Sequence, residues 1–481
     1  MTQETYQNIL KKLAALISGT RFENHVYAVG GCVRDSILGH EIKDIDLVVS
    51  LENGGICLSS SLYANGYLNH EPVIYETYGT TMFRLSDFPH IELEAVQTRK
   101  EQYHEGSRNP ETSYGTLQED AMRRDLTVNA LYYNISTGEL LDPTGGQNDI
   151  KRRLIRVTST PDIVYTDDPL RILRAIRFYS KLNSYDESKR WKIEPETLRG
   201  MSEHVSGLTI ISKERIAAEL HKMLTSSVPS DALKLLKKTG AMHYVILELE
   251  DTYNMTQNEY HFGTVWEHTL KVVDEARKRT DDLNTLMAAL LHDIGKIKTR
   301  SEKDGKVHFY EHERVSQQMA PDILRRLKEP VEMMKEVATL CGGHMMTKSW
   351  GADLRVLKNP EKSIRKLQYK YGRKLFKKLL ILIDADNNAH ALKHCIIGQT
   401  DAIIEVSERM EKFGTDMFDY KLPIDGKDVM SIRNIPPSAE VKECLVYCVK
   451  LAMNNPLMTR DEMLKHIKSY RPKEKKKHER R

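Results

Sequence analysis

An α+β architecture is expected for this chain: a head built on a small mixed sheet, followed by an all-helical remainder. Three observations lead there. Short β-prone runs fall in the N-terminal part: Tyr27-Ala28-Val29, Leu47-Val48-Val49 and the alternating Ile91-Glu92-Leu93-Glu94-Ala95-Val96. Beyond them helical spacing dominates, as in Leu170 to Phe178 and Leu286 to Leu291. The 481 residues exceed one compact core and suggest roughly three or more domains of ~100–200 residues each.

In chain order, Met1 to Thr20 is an amphipathic helix pattern with acids and no cleavage site, which excludes a secretory signal. Tyr27 to Ser50 then organises the head. Tyr27-Ala28-Val29 reads as a strand, and Gly30-Gly31 allows a sharp turn. Cys32 to Leu38 reads as a short helix closed by Gly39. A glycine turn feeding a helix N-terminus presents backbone N–H groups that suit a phosphate. Asp44 and Asp46 follow one residue apart, so in a strand both carboxylates point from the same face. A hard cation such as Mg2+ relieves their repulsion. Phosphate cradle plus acid pair is the minimum kit for two-metal nucleotidyl transfer. A lone DxD would read as a polar strand end; the glycine turn, Arg34 and Asp35 weigh against that here.

GGCVRD followed by KDIDLVV resembles the head of the bacterial-type, class II tRNA nucleotidyltransferase and poly(A) polymerase family, the family of the CCA-adding enzymes. That resemblance implies a polymerase β-like nucleotidyltransferase head, with Asp44 and Asp46 as catalytic Mg2+ ligands and Gly30, Gly31 and Arg34 on the nucleotide. Glu94 is a candidate third catalytic carboxylate, with an exposed strand glutamate as the alternative. Gln97 to Gln118 lacks periodicity and reads as a long structureless loop, more often functional than accidental. In the family a mobile loop here helps the final A addition, and Arg99-Lys100-Glu101, Tyr103 and Arg108-Asn109-Pro110 match it.

Leu117 to Leu131 reads as one helix with Arg123 and Arg124 adjacent, a pair that can fork onto a triphosphate. Its RRDLTVNA resembles the family's RRDFTINA, and Asp142 to Asp149 resembles the hinge motif before an all-α neck. In the neck, Asp168 suits an N-cap and Pro169 the first helical position. Arg171, Arg174 and Arg177 form a stripe at every third residue, which alone would read as a solvated charged face. Base chemistry offers more. A carboxylate accepts from an exocyclic amine and a guanidinium donates to ring acceptors. An Asp168/Arg171 pair could therefore admit C and A and reject U and G, the role of the family's EDxxR motif, here with Asp167 in first place. Ile211 to Leu220 resembles the fifth, structural motif.

From about Tyr260, His and Asp recur at predicted helix ends: His268, His292, Asp293, His312, His344 and Asp386. Such a set suits one or two divalent metals and resembles the HD-type metal phosphohydrolase module; Glu311 replaces the usual Gly before the third His. A transition metal (Ni2+, Co2+ or Mn2+) fits imidazole better than Mg2+ does. The alternative is a helical spacer whose histidines only pack.

The expected division is 1–144 head, 145–259 neck with the base-recognition helix, 260–400 HD module and 401–481 a helical tail that grips tRNA. Net charge is only +4, and Arg471 to Arg481 alone carries +5, so an RNA site elsewhere must be a local patch. The last eleven residues read as a phosphate-attracting arm or a solubilising end. No run approaches the ~20 apolar residues of a membrane span. Six scattered cysteines without paired spacing fit a reduced cytoplasm. The activity these features imply is template-independent addition of C, C and A to tRNA 3′ ends from CTP and ATP. Poly(A) polymerase or a partial CC- or A-adding enzyme shares the motifs, and an HD phosphohydrolase with an RNA-binding head is the alternative from another class.

Overall fold

The head sheet has seven strands, the first built from Val26–Val29 (β1), whose four residues are all buried. Ile45–Val49 (β2) buries every side chain but Asp46. Val73–Tyr75 (β3), Thr80–Phe83 (β4) and Leu93–Gln97 (β5) follow. Arg99–Gln102 (β6) and Glu111–Tyr114 (β7) form a separate hairpin, and Tyr132–Asn134 (β8) and Leu140–Leu141 (β9) return to the sheet. The order is β3-β4-β5-β2-β1-β8-β9, with β2 and β5 parallel and the other pairs antiparallel, so the sheet is mixed. The computed structural model describes residues 1–76, 79–102, 111–185, 190–257 and 263–471. Tyr103, Arg108-Asn109-Pro110, Tyr260 and the terminal arm beyond Arg471 lie outside them.

The chain forms two compact units, Met1–Glu250 with Arg326–Glu329, and Asp251–Arg325 with Pro330–Arg481. In the first, the helix Gln3–Ile17 buries Tyr6, Ile9, Leu10, Leu13 and Ile17 at helical spacing. After the sheet come helices, including Leu170–Asn183 and Lys213–Leu224. The second unit is almost wholly helical. Val265–Arg277, Leu283–Leu291, His312–Arg326, Val331–Cys341 and Pro360–Ala389 carry or precede the histidines. Met417, Val429, Cys444, Cys448, Met463 and Ile467 form a separate apolar core near the C-terminus. All six cysteines are free. Among the described residues no helix is long and apolar enough to cross a membrane.

Two local expectations need correction. The stretch 97–118 is not structureless: β6 and β7 pair antiparallel, with Arg99 opposite Tyr114 and Glu101 opposite Thr112. Long polar side chains hid the strands because the hairpin buries little and leaves all of β7 exposed. The helix beginning at Leu117 stops at Met122 instead of running to Leu131. Asp125 Oδ1 takes the Leu126 N–H at 2.8 Å, and Leu126 turns extended to bridge Val157, so a local bond and a tertiary contact override helical spacing.

Candidate active site

β1 ends in the glycine turn, and Gly30 has φ +76°. A Cβ there would stand 3.6 Å from Asp46 Oδ2 and 3.8 Å from an Arg124 guanidinium nitrogen, so turn, acid and cation meet at one point. β1 aligns Val29 with Asp46, and the parallel β2–β5 register aligns Asp46 with Glu94. Asp44 lies just before β2. Crowding shows in the protonation of these groups. Asp46 is pushed up to about 6, first by burial and then by Glu94 and Asp44, against the pull of Arg124. Glu94, exposed on its strand, is raised by its partial desolvation and by Asp44, with Arg99 opposing. Three oxygen donors that repel one another are the set a hard divalent cation relieves.

The arginines beside them are held by acids. Asp120 is wholly buried: Oδ1 takes Arg123, and Oδ2 takes Arg124 at 3.0–3.1 Å and the Tyr132 hydroxyl at 2.7 Å. Burial alone would raise that carboxyl; Arg124 and Arg123 outweigh it and hold it down to about 2. Arg34 is buried, bonds Asp35 at 2.8 Å and Asn129, and lies over the Phe178 ring. Asn129 bonds Asp125 at 3.1 Å, and Asp125 takes Arg174 at 2.8 Å, so one chain of polar contacts runs from the glycine-turn helix to the neck helix.

The predicted neck stripe exists but is not free. Arg171 faces Glu101 at 3.7 Å, Arg174 pairs with Asp125 at 2.6 Å and Arg177 with Glu219 at 2.6 Å. Asp168 behaves as the expected cap: it is extended, Pro169 is helical, and Oδ1 takes the Leu170 N–H at 3.1 Å. Its ion pair, however, is with Arg215 at 2.9 Å rather than with Arg171. These groups line one cavity of about 1020 Å³ that includes Gly30, Gly31, Asp46, Asp168 and the five arginines 34, 123, 124, 171 and 174. Nine of its nineteen lining residues are Arg or Lys and four are Asp or Glu, an excess that suits a triphosphate.

Asp120, Glu101 and Arg215 were missed from the sequence as site residues. Asp120 had a local signal, standing three and four residues before Arg123 and Arg124 on one helical turn. Glu101 (3.1 Å from Arg123) and Arg215 reach the cavity through non-local contacts that leave no spacing pattern.

In the second unit the six metal candidates converge. His268 Nε2 is 3.0 Å from Asp386 Oδ1 and 3.6 Å from Asp293 Oδ2. His292 Nε2 is 3.2 Å from that same Oδ2, while His312 and His344 lie 3.2 and 3.8 Å from Oδ1. Asp293 therefore faces one triad through each oxygen: His268 and His292 on one side, His312 and His344 on the other. In three histidines the outer nitrogen, Nδ1, sits 2.7–2.9 Å from the carbonyl three residues earlier, Ala289, Phe309 and Cys341. Each Nδ1–H donates there, which aims Nε2 at the cluster; burial would lower His292, but Asp293 and Asp386 raise it. Burial keeps His268 down at about 4 and His344 at about 3, both neutral as ligation needs. Asp293 and Asp386 stay ionised: burial would raise them, and His292 with Lys296, and Lys348 with His268, overcome it. His292 Nε2 and Asp293 Oδ2 are buried without a hydrogen bond among the described residues, although Lys296 Nζ stands 2.7 Å from that oxygen. The donor set fits one or two divalent ions.

Backbone detail supports the cluster's geometry. A Cβ on Gly295 would fall 2.3 Å from the His312 carbonyl oxygen, so only glycine lets the His-Asp turn abut the next ligand helix. Glu311, where glycine was expected, has φ +58°.

Residues 26–156 match the poly A polymerase head domain, 191–252 the probable RNA and SrmB-binding site of polymerase A, and 265–389 the HD domain. The chain is 32% identical over 313 residues to the multifunctional CCA protein of Nitrosococcus oceani, covering 63% of this chain and 70% of that protein. The chain belongs to the tRNA nucleotidyltransferase and poly(A) polymerase family. Another relative, the A-adding tRNA nucleotidyltransferase of Deinococcus radiodurans, is 29% identical over 68% of this chain and 74% of its own length. The fold is shared with the Bacillus stearothermophilus CCA-adding enzyme solved in complex with CTP, at TM-score 0.68 and 21% identity, covering 96% of each chain. Membership in this nucleotidyltransferase family implies a divalent metal in the head.

Proposed function

We propose that the head and neck add C, C and A in turn to the 3′ end of tRNA, taking CTP and ATP and releasing pyrophosphate. The alignment of Asp46 with Glu94 beside the glycine turn and the arginine-lined cavity carries this reading. Asp44 and Asp46 would hold Mg2+, with Glu94 alongside. The metal supplies a Lewis acid for the primer 3′-hydroxyl and for the leaving pyrophosphate. The rest falls to the chain's own groups. Backbone N–H groups after Gly30 meet phosphate oxygens, and Arg123 and Arg124, prealigned by Asp120, fork onto the triphosphate. Asp168 accepts from the exocyclic amine that C and A share, and Arg171 donates to the neighbouring ring acceptor. U and G present a carbonyl at that edge and would leave the Asp168 carboxylate facing a lone pair. No nucleic-acid template is needed.

The four-way division at 144, 259 and 400, tRNA contact by the tail and a cytoplasmic setting belong to the same proposal. Asp46→Ala tests it directly: CMP and AMP incorporation should vanish while tRNA binding, measured by gel shift, persists. Substantial residual incorporation would sink the two-metal assignment.

Three histidines whose Nδ1 bonds aim Nε2 at one buried cluster favour a second activity in the same chain, a metal-dependent phosphohydrolase at the HD cluster. The cluster would prefer Ni2+, Co2+ or Mn2+ to Mg2+ and act on phosphate esters such as the 2′,3′-cyclic ends that block CCA repair. Asp293→Ala should remove bound metal and hydrolysis and leave nucleotide addition intact. A wild-type protein without bound metal or metal-stimulated hydrolysis would leave the cluster as a packed spacer.

A further inference from the structure

Two lysines accompany the HD cluster, and they differ. Lys296 is buried with its Nζ 2.7 Å from Asp293 Oδ2, the arrangement of a fixed counter-ion. Lys348 keeps 28% of its side chain open to solvent while its Nζ stands 3.3 Å from Asp386 Oδ2 and 2.8 Å from His390 Nε2. His390 is buried, and its Nδ1 lies 2.6 Å from the Asp386 carbonyl oxygen. That nitrogen must donate its proton to the carbonyl, so Nε2 is the acceptor and the ammonium donates to it. A neutral imidazole does nothing to balance charge. It fixes where Nζ points.

An ammonium has three N–H groups, and Asp386 and His390 engage two. Lys348 thus stands partly exposed at the rim of the cluster with one N–H not engaged by Asp386 or His390, where an anionic substrate arrives from solvent. We propose that Lys348, oriented by His390, is the anion grip of the HD cluster and binds a non-bridging oxygen of the phosphoryl group of a phosphate ester. The proposal rests on reading the cluster as a metal phosphohydrolase centre. His390 is then a positioning residue, absent from the six ligands read in the sequence.

The test uses the full-length protein loaded with Mn2+, as wild type, Lys348→Ala, Lys348→Arg and His390→Phe. Metal content is measured by mass spectrometry, orthophosphate binding by calorimetry, and KM and kcat on 4-nitrophenyl phosphate; thermal melts check folding. Lys348→Ala should keep wild-type metal content, bind orthophosphate about tenfold or more weakly, and raise KM more than it lowers kcat. Lys348→Arg should retain most of the orthophosphate affinity, and His390→Phe should fall between. Unchanged orthophosphate affinity in Lys348→Ala overturns the proposal and leaves the metal centre standing. So does loss of metal in both Lys348 variants, which would make the lysine a counter-ion for Asp386. A wild type that takes up no metal overturns the underlying reading, and the anion grip with it.

Discussion

Asp120→Asn is the perturbation that probes the nucleotide cavity most sharply without touching a metal donor. The carboxylate is buried beneath Arg123 and Arg124, and its acidity moves from the usual 3.8 to about 2. A shift of about two units corresponds to about 2–3 kcal/mol of native-state stabilisation at neutral pH. Because the folded-state pKa is depressed, that contribution is fully present above the unfolded value near 4 and is lost as pH falls through 2. An amide in its place still accepts one hydrogen bond but leaves two guanidiniums without their shared charge. Urea denaturation at pH 7 should therefore show the first unit destabilised by about 2–3 kcal/mol, with the gap to wild type narrowing between pH 4 and pH 2. KM for CTP should rise about tenfold, since Arg123 and Arg124 lose the group that aligns them. Equal urea midpoints at pH 7, or a gap that persists at the lowest pH, would refute the reasoning.

Other outcomes follow from the same geometry. Asp168→Ala should relax base choice, with UTP and GTP misincorporation rising roughly tenfold or more while triphosphate affinity changes less; unchanged selectivity would put base reading elsewhere. Arg215→Ala, which removes the ion-pair partner of Asp168 without removing the reader, should blur the same selectivity by a smaller factor in the same assay. Glu311→Gly should leave the melting temperature unchanged or slightly raised, because relief of a left-handed backbone costing about 1–2 kcal/mol offsets the added freedom of glycine. Glu311→Val, with a branched Cβ at φ +58°, should instead lower it, and equal melts of the two variants would contradict the strain.

What the sequence made legible was local. The glycine turn, Asp46 on its strand, the Asp168 cap and the arginine stripe each sit within a few residues, and the structure places each where its spacing implied, while Asp44 falls just before the strand. Glu94 was legible as a strand residue, but its alignment with Asp46 depends on a parallel pairing between strands 44 residues or more apart. The partners of the arginines were harder. Asp120 could have been read from i+3 and i+4 spacing, whereas Glu101 was hidden by a stretch whose strands bury too little to alternate. Treating Arg215 as part of a structural motif obscured its bond to Asp168. In the HD module the six residues were recognisable in order, but not the carbonyl bonds that aim three Nε2 atoms at the cluster, nor His390, which stands one helical turn after Asp386.

The most direct measurement of the central claim is the mass of the tRNA 3′ end after incubation with all four nucleoside triphosphates at equal concentration. Transcripts ending before C, before the second C and before A should gain CCA, CA and A respectively, then stop. Growth of an A tail, addition of A alone, or incorporation of U or G would contradict the account.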